Sequence, residues 1–202
     1  MRKCTPTLSL PEAAELTALQ DRQAAAGGWQ PAAADSLWRA IEENHFQNCK
    51  LWAEEDLARR THVPDAEIAA NKRAIDVLNQ KRNDAIERID EQILERLEPI
   101  VRKTDARMNS ETAGAMIDRL SIAALKIHHM RIQTERADVD RHHIESSRAK
   151  LDRLLEQRTD LARCLDRLLQ EAKTGDVYFK VYRQFKMYND PTLNPALYKA
   201  KA

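Results

Sequence analysis

Apolar residues recur at every third or fourth position along three long segments of this chain, residues 35–60, 65–101 and 139–173. This spacing places them along one side of an α-helix, and such a stripe has to be buried against other helices. At about 1.5 Å per residue the second of these helices would be about 50 Å long, which is typical of a bundle or a helical hairpin. No alternation typical of β-strands interrupts the pattern. The sequence therefore predicts an all-α fold, an elongated helical bundle with long antiparallel helices.

Three parts follow one another along the chain. Residues 1–34 are predicted to form a short helix and a linker. Residues 35–175 contain the bundle, including a fourth helix over 110–136. Residues 176–202 form an aromatic, basic C-terminal segment that we expect to dock onto the bundle.

Aromatic residues are concentrated in this C-terminal segment. All four tyrosines and six of the ten aromatic residues fall within 178–198. Tyr178, Tyr182 and Phe185 have helical spacing, so 177–188 is predicted to be helical, with an extended segment as the alternative. The segment either docks through its aromatic side chains or forms a surface for a sugar, a nucleotide or a protein.

Polar residues lie inside the apolar stripes of the long helices, and the main ones are Asn48, Glu55, Asn79, Arg82 and Arg158. A buried polar group costs free energy unless it is paired. In a structural interpretation, Glu55 pairs with Arg82 or Arg158, and the asparagines complete a network that sets helix register. In a functional interpretation, the same groups line a pocket for an anionic, polyhydroxylated ligand, because guanidinium groups bind carboxylate or phosphate in a bidentate manner.

The fourth predicted helix has a mixed outer side. Asp118, Arg119 and Lys126 lie away from its main core stripe, and Ile122 and Leu125 lie among them. A solvated surface is one interpretation. The two apolar residues indicate instead that this side contacts another helix, another subunit or a ligand.

Few local motifs of enzyme or metal sites are present. With only four glycines, no phosphate-binding loop or dinucleotide fingerprint can be written. Glu42 and His45 have the Glu-x-x-His spacing of di-iron bundles, but the helical phase turns Glu42 away from the inner side of His45. The neighbouring His128 and His129 do not share one side of their helix. We therefore predict no metal and no cofactor.

Composition favours a cytoplasmic protein. The net charge is +1 and both signs are interspersed, which argues against a nucleic-acid partner. No run of about 18 apolar residues is present, so no membrane span is expected, and the start lacks the apolar core of a secretory signal. Cys4, Cys49 and Cys164 are far apart and odd in number, which indicates unpaired thiols in a reducing compartment.

Six short stretches occur together: EED at 54–56, KRAID at 72–76, NQKRND at 79–84, NSET at 109–112, IDRLSI at 117–122 and QFKMYNDP at 184–191. In this combination they resemble a bacterial family that is catalogued only as a domain of unknown function. The resemblance extends over about residues 40–198. Members of that family are often encoded beside glycosyltransferases of lipopolysaccharide or surface-glycan assembly. The resemblance carries no established activity, but it implies that the outer side of the fourth helix is functional.

These patterns lead us to expect a helical binding or accessory protein linked to surface-glycan assembly. Its partner would be an anionic sugar, a nucleotide-sugar ligand or a glycosyltransferase. Arg82, Arg119 and Lys126 would hold anionic groups. Glu55 and Asp118 would orient these cations or accept hydrogen bonds from sugar hydroxyls. The candidate ligand-binding residues are Asn48, Glu55, Asn79, Arg82, Asp118, Arg119 and Lys126.

Two alternatives stay open at this point. One is a small all-α enzyme that uses Arg, Lys and carboxylate residues on helices, with Glu55 or His45 as general acid or base. The other is a structural adaptor that binds a glycosyltransferase and no small molecule. Apolar residues on the outer faces of long helices are also compatible with a homodimer.

Overall fold

The computed structural model describes residues 9–183, 187 and 190–198. Over these residues the fold is all-α, as the sequence predicts, with a two-stranded parallel ribbon beside the bundle. None of the described helices is both long enough and apolar enough to cross a membrane. The long helices are α1 (Ala13–Ala25), α2 (Ser36–Leu57), α3 (Asp65–Leu97), α4 (Ala113–Thr134) and α5 (Arg141–Lys173). The short elements are β1 (Arg107–Met108), β2 (Val177–Tyr178) and α6 (Pro195–Tyr198).

Side-chain caps fix where three of these helices begin. The Asp35 carboxylate accepts hydrogen bonds from two backbone N–H groups at the start of α2, and Asp140 accepts one at the start of α5. Thr112 caps α4, since its Oγ1 accepts a hydrogen bond from the N–H of Ala115 at 3.2 Å. α4 therefore begins at Ala113, three residues later than the predicted start at residue 110.

Two antiparallel hairpins form the bundle. α2 and α3 run in opposite directions, as shown by an ion pair between Glu43 and Arg88 (2.6 Å) and a hydrogen bond from Asn71 to Glu54 (2.8 Å). α4 and α5 form the second hairpin, and α1 packs against both α4 and α5. α4 contacts α1, α2, α3 and α5, so it is the central element of the bundle.

The apolar core surrounds α4. Its fully buried side chains include Leu16, Ile89, Ile93, Ile117, Leu120 and Leu165. Ile89 and Ile93 lie one turn apart on α3, Ile117 and Leu120 lie one turn apart on α4, and α1 and α5 contribute Leu16 and Leu165. Full burial of one such side chain contributes about 1.5–3 kcal/mol, so this cluster accounts for much of what holds the two hairpins together.

A glycine allows α3 and α4 to approach closely. The N–H of Gly114 donates a 2.6 Å hydrogen bond to the buried carboxyl of Asp90. A Cβ at position 114 would lie 2.6 Å from the carbonyl oxygen of Ile86 and 2.9 Å from Asp90 Cγ. The first turn of α4 therefore has room for a hydrogen atom and no more at this position.

The C-terminal segment docks in an extended form. Gly175, with φ of +75°, ends the path of α5, and β2 pairs in parallel with β1. Val177 and Phe179 are buried in the core, while Tyr178 between them stacks on the Arg102 guanidinium at 4.1 Å. This alternation of buried and outward residues is that of a strand.

The predicted helix over 177–188 is therefore wrong for residues 177–183, which are extended or irregular. Hydrogen bonds between β1 and β2 satisfy the backbone here, and the helical spacing of Tyr178 and Tyr182 has no structural counterpart. Phe185, the third aromatic residue of that pattern, lies outside the described residues.

We predict that Gly114→Ala destabilises the protein, because the added methyl group overlaps the backbone of α3. Overpacking of this kind typically costs about 1–3 kcal/mol. Urea denaturation would measure the loss against Gly27→Ala, whose added Cβ meets no atom within 4 Å. Equal unfolding midpoints for the two variants would show that α3 and α4 separate freely at this contact.

Candidate functional site

A buried carboxylate joins α2 to α4. Asp118 Oδ1 accepts hydrogen bonds from the side-chain amides of Asn44 and Asn48, each at 2.9 Å. The Asn48 amide also lies 2.9 Å from the hydroxyl of Ser121. Asn44 and Asn48 are one turn apart on α2, as Asp118 and Ser121 are on α4, so the two helices present matching pairs. With His45, these four residues form what we call the Asp118 cluster.

His45 completes the cluster as a neutral, buried ring. Its Nδ1 lies 2.7 Å from Ser121 Oγ, its Nε2 lies 3.7 Å from Cys49 Sγ, and the ring stacks on Trp29. Burial lowers the pKa of His45 to about 4. At neutral pH this imidazole therefore carries no charge.

The Glu-x-x-His spacing on α2 does not form a metal site. Glu42 accepts hydrogen bonds from the backbone N–H groups of Ala32 and Ala33 at 2.7 and 2.8 Å, so it holds the linker before α2. In the described part of the chain, no group of three or more His, Cys, Asp or Glu residues is arranged to hold a metal ion.

Arg82 of α3 approaches the same carboxylate from the other side. Its Nε lies 3.8 Å from Asp118 Oδ1, which is an ion pair but too long for a hydrogen bond. The Nε atom is buried, and no described residue accepts a hydrogen bond from it. The side chain as a whole is 28% exposed, so part of the guanidinium can be reached from outside. Buried polar groups are normally hydrogen-bonded, so an unpaired donor beside an accessible recess calls for an explanation.

The recess beside Arg82 is a cleft of about 380 Å³ between α2, α3 and α4, which we call the Arg82 cleft. This volume is within the range of small-molecule sites. The predicted residues that line it are Asn48, Glu55, Asn79 and Arg82. Its other walls include Trp52, Asp56, Arg59, Ile122 and Leu125. The two apolar residues that interrupt the outer side of α4 thus face this cleft.

The remaining predicted residues do not gather around the cleft. Asp118 lies beneath Arg82 and is buried, whereas Arg119 and Lys126 are exposed. Arg119 forms a 2.7 Å ion pair with Glu111. Both Arg119 and Lys126 line a separate groove of about 640 Å³ between α4 and α5. Adjacent helical positions differ by about 100°, so Asp118 and Arg119 face different neighbours.

The expected ion pairs of Glu55 are wrong. Glu55 pairs with Arg59, one turn further along α2, at 3.1 Å. Arg158 pairs with Asp21 of α1 at 2.5 Å, and Arg82 with Asp118. Helical periodicity predicts the direction of each side chain around its own helix, but not which helix packs opposite.

Two ring systems flank the cleft on its outer side. Trp52 of α2 and His129 of α4 stack with 4.4 Å between ring centroids and 6° between planes. Burial and the neighbouring His128 lower the pKa of His129. Sequence reasoning missed this pair and did not count Asn44 and Ser121 among the candidate ligand-binding residues, although they lie one turn from Asn48 and Asp118.

Residues 38–181 match a family described as a protein of unknown function (DUF4254). The chain belongs to this family. The resemblance to a domain of unknown function is thereby confirmed over residues 38–181, while the QFKMYNDP stretch at 184–191 lies beyond the DUF4254 match. No curated protein and no solved structure matches the chain. The Asp118 cluster and the Arg82 cleft both lie inside the DUF4254 region.

Two buried titratable groups of this DUF4254 bundle should give opposite pH dependences of stability. The pKa of His45 falls from 6.5 to about 4 on folding, so the free energy of unfolding decreases as the pH drops through this interval. Burial raises the pKa of Asp90 from 3.8 to about 6, so its contribution increases as the pH drops through its own interval.

Urea denaturation between pH 4 and 7 would measure both effects. We expect His45→Gln to weaken the acid-induced loss of stability and Asp90→Asn to strengthen it, because each variant removes one titration and keeps a hydrogen-bonding group. Every other ionisable group is common to the two variants. Identical pH profiles would mean that neither group titrates differently in the folded and unfolded states.

Proposed function

We propose that this chain is a helical binding protein whose Arg82 cleft takes an anionic, polyhydroxylated ligand, an anionic sugar or the sugar part of a nucleotide sugar. The observation that carries the proposal is the Arg82 guanidinium. It stands at the wall of the cleft, partly exposed, with a buried Nε that has no acceptor among the described residues.

Asp118 supports this role by orienting Arg82 without using its donors. The carboxylate already accepts hydrogen bonds from Asn44 and Asn48, and it stays 3.8 Å from Arg82 Nε. A ligand carboxylate or phosphate in the cleft could accept hydrogen bonds in a bidentate manner from the exposed Nη atoms of the guanidinium. Holding an arginine in place before the ligand arrives reduces the entropy lost on binding.

The other walls suit the neutral part of a sugar. Asn79 offers an amide, and Glu55 and Asp56 offer carboxylates that accept hydrogen bonds from hydroxyls. Trp52 offers an aromatic surface against which the carbon atoms of a sugar ring can pack. Glu55 is already paired with Arg59, whereas Arg82 faces Asp118 at 3.8 Å without a hydrogen bond, so the donors of Arg82 remain for an anionic group. The cleft favours a ligand with one negative charge and several hydroxyls.

The proposed setting is surface-glycan assembly in a bacterial cytoplasm. It is supported by the gene neighbourhood that the sequence resemblance implies, in which related chains accompany glycosyltransferases. A ligand-bound form would then act beside such an enzyme as an accessory protein. Association with a glycosyltransferase and pairing of two copies of this chain remain predictions from the sequence.

We predict that Arg82→Ala removes ligand binding and leaves the fold intact. Thermal unfolding would be followed with glucuronate, galacturonate and sugar phosphates as probes. A ligand at about 100 times its dissociation constant stabilises the folded state by about 2.7 kcal/mol, which gives a clear upward shift of the melting temperature. The shift should vanish in Arg82→Ala and diminish in Arg82→Lys, which keeps the charge but loses the bidentate geometry.

Lys81→Ala is the matched control, because Lys81 is an exposed neighbour on α3 that does not line the cleft. It should bind as the unaltered protein does. A ligand-induced shift that persists in Arg82→Ala would refute the proposal. Unfolding of both Arg82→Ala and Arg82→Gln without ligand would show instead that Arg82 serves only the structural network.

A further inference from the structure

A second recess continues from the Arg82 cleft across the outer side of α4. It is a groove of about 560 Å³ between α2, α4 and α5, which we call the Trp52–His129 groove. Trp52 and Asp56 line both recesses, so the two are adjacent along α2. Neither Arg82 nor Asn79 lines the groove.

The charge of the groove differs from that of the cleft. Lys126, Lys150 and Arg153 line it, against a single carboxylate, Asp56. Among the described residues, Lys126 and Lys150 have no ion-pair partner. Arg153 has only Glu156, at 3.7 Å on the exposed side of the same helix. The groove therefore presents two unneutralised ammonium groups, which attract a ligand with more than one negative charge.

An apolar wall accompanies these cations. The stacked rings of Trp52 and His129 line the groove together with Leu154. Aromatic side chains provide stacking surfaces for nucleobases of any identity, and lysine ammonium groups bind phosphate as point charges. Rings and ammonium groups in one groove match a ligand that joins a flat heterocycle to phosphates.

We infer that the Trp52–His129 groove binds a nucleoside diphosphate, with the phosphates at Lys126 and Lys150 and the base against the ring pair. The groove's adjacency to the Arg82 cleft then makes the whole ligand a nucleotide sugar, whose sugar enters the cleft. That last step rests on the proposed function, whereas the binding of the nucleoside diphosphate itself depends on the groove alone.

Calorimetric titration tests the groove with UDP, ADP, uridine, adenosine and inorganic pyrophosphate as probes. We expect the nucleoside diphosphates to bind at least tenfold more tightly than pyrophosphate or the free nucleosides. Lys126→Ala and Lys150→Ala should each weaken nucleoside diphosphate binding about tenfold, a typical loss for one charged contact to phosphate. His129→Leu should weaken nucleoside diphosphate binding but not pyrophosphate binding.

Arg148→Ala is the matched control, because Arg148 is an exposed cation on α5 that does not line the groove. It should bind UDP and ADP as the unaltered protein does. An equal loss in Arg148→Ala would assign the binding to the general charge of α5 and overturn the inference. Absence of UDP and ADP binding at millimolar concentration would overturn it as well, as would pyrophosphate binding as tight as that of UDP.

Arg82→Ala separates this inference from the proposed function. Retained UDP binding in Arg82→Ala supports a groove that is distinct from the cleft. If UDP binds but no sugar acid or sugar phosphate does, the groove assignment stands and the cleft proposal fails. If sugar acids bind in an Arg82-dependent manner and no nucleoside diphosphate binds, the groove assignment fails alone.

Discussion

The Asp118 carboxylate is the interaction on which the rest of this structure depends. A buried carboxylate is expensive unless hydrogen bonds and a counter-charge compensate it, and here two α2 amides and one α3 arginine do so. These partners lie on different helices, so satisfying one carboxylate sets the register of α2 against α4 and places Arg82 of α3 at the same point. Loss of such a partner typically costs about 3–5 kcal/mol, which makes other registers unfavourable.

A consequence of this arrangement is that the two recesses beside Trp52 differ in the charge of the side chains that line them. On one side, the charges of the Arg82 cleft are nearly balanced by carboxylates, and selectivity would come from hydrogen-bond geometry. On the other side, the lysines of the Trp52–His129 groove are unbalanced, and attraction would be long-range and sensitive to salt. His45 contributes to neither recess directly. Its neutral ring contacts Ser121, which in turn accepts a hydrogen bond from Asn48 at the wall of the cleft.

Periodicity was sufficient for the long helices and for four of the residues that line the Arg82 cleft. Asn48, Glu55, Asn79 and Arg82 fall on apolar stripes, and a polar residue on such a stripe faces a neighbouring helix or a recess between helices. Periodicity gives an angle around one helix only, which is why Arg158 was expected near Glu55 although it meets α1. The pairing of β1 with β2 joins positions about 70 residues apart, as the register of Arg107 with Val177 shows. No local pattern in the sequence reports such a contact.

The β1–β2 ribbon has a mechanical consequence for the second hairpin. β1 precedes α4 and β2 follows α5, so backbone hydrogen bonds close one end of this hairpin while the covalent turn between α4 and α5 closes the other. α4 and α5 are thus connected at both ends, and they cannot separate unless the ribbon breaks or the turn rearranges. The spacing between α4 and α5 is therefore fixed by the backbone, and a ligand that enters between them is accommodated by rotation of side chains. Association would then be limited by encounter and not by an opening of the fold, as in other preformed sites.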